Sequence, residues 1–418
     1  MADNINLGRE QFGDLKHRKN VRNLSDEELA DLRRAFAGVY EISDNRGYQY
    51  FAGLHGLPLP YYCEHGNMLF LPWHRAYLYA LEKALQEIVE GVTLPYWDWT
   101  SDRSIHSGIP RAYREGRTPD GAPNPLRSAA IMYPDDPDWM TRREPRRPRE
   151  LERYRNDVDE AMETDNFHVF SRALEQAHGA VHGWVGGDMS TINFAAYDPI
   201  FWAHHAFIDK LWADWQRTHP DASTPRLDDV LVPFNMTVES TVNWRLNLGY
   251  DYVADEVFET WAAGETEVGV TNFNNSNTQV TLPHHEKDFD SAVIEFHNVH
   301  PPKGSYEARV FINDADADEE TDVYDNPNYA GSFYFFGHAK KCSGDKGHCD
   351  MPKPQKKFDI RPPHHLTPYK LYKNVTKCLQ DVGKDEANVY VKMVCVDRYG
   401  ERLENQFKCE GMSLVYRD

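Results

Sequence analysis

Apolar positions recur along this chain with two different periods. In the first two-thirds they return every three to four residues, as in helices that bury one face. Ser25 and Glu28 form a capping box ahead of ELADLRRAF and start a helix there. Further helices are predicted over about 73–90, 167–183 and 204–217, with long loops between them. The Pro- and Arg-rich segment from Ser101 to Arg155, with TRREPRRPRELERYR as its most basic stretch, reads as loop and solvated surface. Beyond LGYDYVADEV the period falls to two. SAVIEFHNV, YEARVFIN, GSFYFFGH, NVYVKMVCVD and SLVYRD alternate as half-buried strands do, which predicts a β-sandwich. The expected fold is mainly α: a helical-bundle domain over 1–264, an Asn-, Thr- and Gly-rich linker over 265–284, and a smaller β-sandwich domain over 285–418. The acidic run DADADEETD lacks the spacing of an EF-hand loop and reads as a solvated loop.

Composition narrows the function classes. The 418 residues carry 46 basic and 66 acidic side chains, a net charge of −20, which argues against nucleic acid or an anionic membrane as partner. No run of apolar residues is long enough for a membrane-spanning helix, and MADNINLGREQFG shows no signal-peptide core. Of six cysteines, Cys63 stands alone and Cys342, Cys349, Cys378, Cys395 and Cys409 cluster in the tail, which allows two disulfides there at most. This clustering, with sequons at Asn23, Asn235, Asn274 and Asn374, points to a secreted or extracytoplasmic location.

The chemistry lies in the histidines. In AHGAVHGWVGGD, His178 and His182 stand at i and i+4 on a face shared with Phe170, Leu174, Val181 and Val185. In DPIFWAHHAFIDKLWADW, His205 shares a face with Ile208, Trp212 and Trp215, while His204 lies about 100° round and reads as structural. In GLHGLPLPYYCEHGNMLFLPWHRAYLYALEKAL, His74 opens an amphipathic helix, preceded by His65 and His55. Two three-histidine sets on inward faces of a bundle predict a binuclear metal centre. Imidazoles without carboxylate or thiolate suit copper or zinc better than magnesium or calcium. A zinc hydrolase is disfavoured because no H-E-x-x-H arrangement supplies a general base. His106, His168, His284, His285, His364 and His365 lack a partner at ligand spacing.

CEHGNMLFLPWHRAYLYALEKAL, AHGAVHGWVGG and DPIFWAHHAFIDKLW, together with LPYWDWT and LGYDY, resemble the copper-binding signatures of type-3 copper proteins: tyrosinases, catechol oxidases and molluscan-type haemocyanin units. The resemblance covers about residues 15–255. The tail is similar, more weakly, to the β-sandwich domain of molluscan haemocyanin units. It implies two copper ions, one held by His55, His65 and His74 and the other by His178, His182 and His205. It also implies a thioether between Cys63 and His65, and a role for Asp209 in orienting a ligand imidazole. Two activities follow. One is oxidation of o-diphenols to o-quinones with dioxygen as co-substrate, monophenol hydroxylation being left open. The other is reversible dioxygen carriage with latent phenol oxidation. The wording of DPIFWAHHAFIDKLWADWQRTHP is nearer the bacterial tyrosinases, which favours the enzyme acting on a small phenolic substrate; oligomerisation is left open.

The resemblance singles out three more positions. Hydroxylating relatives often hold a water with an Asn directly after the first histidine of the second copper and a nearby Glu. Here Gly179 occupies that place and Glu175 lies one turn earlier, so weak monophenol hydroxylation is expected. In haemocyanin units a bulky side chain of the β-domain blocks the copper pocket, and Phe336 falls at the matching position. Strand alternation puts Phe333 and Phe335 on one face and Tyr334 and Phe336 on the other.

Overall fold

The computed structural model describes residues 15–131 except 59, 139–253, 266–272, 279–283, 289, 291–302, 304–337, 368–382, 388–404 and 406–417. Two compact units interleave along the sequence: 1–64, 68–142 and 194–259 form one, and 65–67, 143–193 and 260–418 form the other.

The first unit is built on helices Asp26–Tyr40, Tyr48–His55, Phe70–Ile88 and Ile200–Thr218. Ser25 starts the first of these with both halves of its capping box formed. The Tyr48–His55 helix was not predicted; Gly47 and Gly56 bracket it and it spans only two turns, too short for a period to register. Tyr77 and Trp202 pack 4.6 Å apart between the two long helices, and both are fully buried. Around the same helices lies a buried ionic network. Asp209 accepts from Arg75 Nε at 2.5 Å, from Arg18 Nη1 at 3.1 Å, and from the hydroxyls of Tyr250 and Tyr252 at 2.6 and 2.5 Å. Arg18 also donates to Glu82 at 2.9 Å.

The second unit joins helices Leu151–Met162 and Phe167–Val185 to two four-stranded antiparallel sheets. One sheet runs in the order Tyr369–Asn374, Ser291–Val299, Gly411–Arg417, Thr266–Asn272. The other runs Gln279–Pro283, Asn388–Val396, Tyr306–Ile312, Tyr329–Phe335. Ile294, Phe296 and Leu414 of the first sheet share a core with Ala308, Val310, Phe333 and Val391 of the second. The fold thus has a helical core and a strand-rich C-terminal part.

Three expectations are corrected. The 265–284 segment contains strands Thr266–Asn272 and Gln279–Pro283 instead of serving only as a linker. Pairing uses backbone groups, so a composition poor in apolar residues still supplies an edge strand. The basic stretch ending in LERYR is not all solvated: it enters a helix on which Arg153 pairs with buried Glu307 and donates to the hydroxyls of Tyr329 and Tyr334, each at 2.8 Å. Cys378, Cys395 and Cys409 are free buried thiols, so none takes part in the expected disulfides; burial raises each thiol to about 12. Cys342 and Cys349, the sequon at Asn274, and His284, His285, His364 and His365 lie outside the described residues. Among the described residues no helix is long and apolar enough to cross a membrane.

Candidate metal centre

In the first unit, three helices each deliver one imidazole. His55 ends the Tyr48–His55 helix, His74 lies in the second turn of Phe70–Ile88, and His205 in the second turn of Ile200–Thr218. One ring nitrogen of each lies within 4.8 Å of the others, and all three side chains are buried. The His74 and His205 rings stack at 4.5 Å, and Phe201 packs on His55 and His205 at 4.8 and 4.1 Å. His74 Nδ1 donates to the Phe70 carbonyl at 2.8 Å, which fixes the proton on Nδ1 and leaves the Nε2 lone pair as the metal donor. Burial lowers His74 to about 3, so it is neutral at pH 7 as a copper ligand must be. His204, predicted to be structural, is buried beside Trp99.

In the second unit the Phe167–Val185 helix presents His178 and His182 with ring centroids 4.5 Å apart, both buried. His182 Nδ1 donates to the Met189 carbonyl at 2.9 Å, which again directs Nε2 outward as donor. The His65 ring stacks on His178 at 6.0 Å.

Phe336 follows the Tyr329–Phe335 strand and stacks on His182, with centroids 4.2 Å apart and planes 18° from parallel. It also meets His178 and His65 edge-on, each at 6.1 Å. Phe333 and Phe335 point into the sandwich core, and Tyr334 turns the other way, 5.1 Å from Tyr154. Gly179 is a point of close approach: a Cβ there would lie 3.2 Å from the Tyr334 carbonyl oxygen and 3.5 Å from Phe336 Cβ. A side chain there would require the strand to give by a few tenths of an ångström.

One expected role does not match the contacts. Asp209 bonds to two arginines and two tyrosines and to no imidazole, because buried guanidinium groups take up its oxygens. Burial alone would raise its carboxyl, but Arg75 and Arg18 outweigh that and hold it below the usual range. Glu175 is buried with both oxygens engaged, one by the Gly66 amide at 2.6 Å and one by Arg172 Nη1 at 3.2 Å. Its carboxyl is raised by burial against the opposing pull of Arg172. Cys63 is a free thiol whose Sγ lies 3.3 Å from the His55 carbonyl. Sequence reasoning missed Arg172, which stands one turn before Glu175 on the histidine-bearing helix.

Comparison with known proteins gives consistent matches. Residues 45–218 match the family model described as the common central domain of tyrosinase. A tyrosinase of Streptomyces lincolnensis is 34% identical over 261 residues, covering 52% of this chain and 92% of that protein. Units G and H of the haemocyanin of Sepia officinalis are 34% identical over 219 residues, covering 48% of this chain and 37% of that protein. The chain thus spans well under half of the haemocyanin but nearly all of the tyrosinase. Among solved structures, a functional unit of octopus haemocyanin superposes with a TM-score of 0.66 over 95% of this chain and 99% of that one, at 22% identity. At that identity the superposition speaks for the fold alone.

Proposed function

This chain belongs to the tyrosinase family of type-3 copper proteins, and on that premise we propose that it is a copper oxidoreductase that converts o-diphenols to o-quinones with dioxygen. The family implies a binuclear copper centre. The residues present fit one: imidazole nitrogens cluster within 4.8 Å of one another, His74 is neutral at pH 7, and His74 and His182 each commit Nδ1 to a backbone carbonyl. The donors are His55, His65 and His74 for one ion and His178, His182 and His205 for the other, as the resemblance implies. When bound, the copper pair supplies two-electron transfer between the diphenol and dioxygen.

The chain's own residues set the stage for that transfer. The Phe70 and Met189 carbonyls hold two of the imidazoles in one tautomer and orientation. Phe201 and Trp73 wall the first trio and keep water from it. The flat face of His182 is the surface on which a phenol ring would stack, and Phe336 lies on that face. The enzyme reading is carried by the match over nearly the whole length of a bacterial tyrosinase. Phe336 favours a second reading, a reversible dioxygen carrier in which phenol oxidation is latent.

Metal analysis tests the ligand proposal. His74→Ala and His178→Ala should each lose about one of two coppers, and full retention in both would remove it. A Cys63–His65 thioether is also proposed. Expression with copper in air, with dioxygen as the two-electron acceptor, should leave the peptide carrying both residues two hydrogens light as the thiol S–H and a ring C–H are replaced by a C–S bond, and a freely alkylatable Cys63 in the denatured copper-loaded protein would contradict it.

A further inference from the structure

Of the six proposed ligands, His65 is the one on a loop, and that loop is gripped by groups outside the metal chemistry. Gly66, its neighbour, sits at φ +69°, in the left-handed region. Both polar groups of Gly66 are held by one pair of side chains: its N–H donates to Glu175 Oε1 at 2.6 Å, and its carbonyl accepts from Arg172 Nη2. Arg172 Nη1 and Glu175 Oε2 close the bracket at 3.2 Å. Both side chains are buried, with 5% and 10% exposure, so the pair is shielded from water. They stand one turn apart on the helix that carries His178 and His182. The other face of the Arg172 guanidinium is covered by Tyr369, 4.4 Å from its ring centroid, on the sandwich strand Tyr369–Asn374. The Tyr369 ring also abuts Gly66, 3.6 Å from where a Cβ would stand.

We propose that Arg172, Glu175 and Tyr369 are positioning residues that fix the His65 loop, so that the strand-rich C-terminal part is needed for copper retention at His65. This rests on the copper reading above. A loop with its peptide clamped at both N–H and C=O presents His65 in place before the metal arrives. Released, the loop would have to be ordered each time copper bound. Tyr369 acts at one remove: its ring excludes water from the guanidinium and keeps the bracket tight. The C-terminal part then has a second consequence for the site besides placing Phe336, and the two separate on mutation. Losing Phe336 opens a ring-stacking face. Losing Tyr369 loosens a ligand.

The test uses full-length copper-loaded protein challenged with a chelator, with copper release followed per chain. Arg172→Met and Tyr369→Leu should each release one of the two coppers at least about tenfold faster than wild type while the other is retained, the range seen when groups supporting a metal ligand are removed. Tyr369→Phe keeps the ring over Arg172 and should behave as wild type. Thermal unfolding of the copper-free variants measures any general loss of stability separately. The proposal is overturned if both coppers stay as in wild type in Arg172→Met and Tyr369→Leu. It is equally overturned if both coppers leave together at matched rates, or if Tyr369→Phe fails like Tyr369→Leu. Wild-type protein that binds two coppers while the variants show no selective loss refutes the bracket alone. Wild-type protein that takes up no copper refutes the copper reading and the bracket with it.

Discussion

Phe336→Ala should convert a latent site into an open one. In the structure the Phe336 ring lies at 4.2 Å on His182, nearly parallel, where an incoming phenol ring would stack. The two rings cannot share that face, so substrate binds only the fraction of molecules in which Phe336 has swung away. Phe336 is half-buried. Burying a whole phenylalanine side chain contributes about 1.5–3 kcal/mol, so half of it contributes about 1 kcal/mol. The stacked pair adds about 0.5–1.5 kcal/mol. Together they hold the ring in place by about 2 kcal/mol, which leaves roughly one molecule in 30 open. Removing the side chain should therefore raise kcat/KM for catechol about 30-fold, mostly through KM, with copper content unchanged. Initial rates of quinone formation over a range of catechol concentrations measure it. A kcat/KM within about twofold of wild type would show that Phe336 does not exclude substrate.

Two further outcomes follow from the buried charges. Asp209→Asn leaves Arg18 and Arg75 buried with one carboxylate fewer and should cost about 3–5 kcal/mol in urea unfolding of the copper-free protein; a loss below about 1 kcal/mol would contradict the network. Burial would raise the Glu307 carboxyl from 4.5, but Arg153 and Arg309 outweigh it and hold it at about 2. A depressed folded value means the stability it adds, about 3 kcal/mol, is present above pH 4.5 and is lost as pH falls towards 2. Glu307→Gln should flatten that part of the acid-unfolding curve, and an unchanged slope would refute the assignment.

What could be read from the sequence was what repeats locally. The spacing of His178 and His182 against Phe170, Leu174 and Val181 gave the helix, its inward face and its metal chemistry together. The alternation in GSFYFFGH separates Phe333 and Phe335 from Phe336. What could not be read depends on pairing between distant positions. Arg153 looked like one more solvated basic residue because nothing nearby in sequence names Glu307, 154 positions away. Asp209 was assigned to an imidazole because its four partners lie on the Lys16–Arg18 strand, the His74 helix and the Tyr250–Tyr252 strand. The bond from the Gly66 amide to Glu175 could not be read because the two residues lie 109 positions apart.

The central claim is that this chain carries two coppers that oxidise diphenols with dioxygen. The direct measurement is to load the protein with copper, reduce it without air, admit oxygen, and then add catechol to wild type and to Phe336→Ala. The account predicts two coppers per chain, a near-ultraviolet band that appears on oxygenation, and quinone formation that is slow in wild type and fast in the variant. Reversible oxygenation with no quinone from either protein would contradict the oxidase reading and establish a carrier.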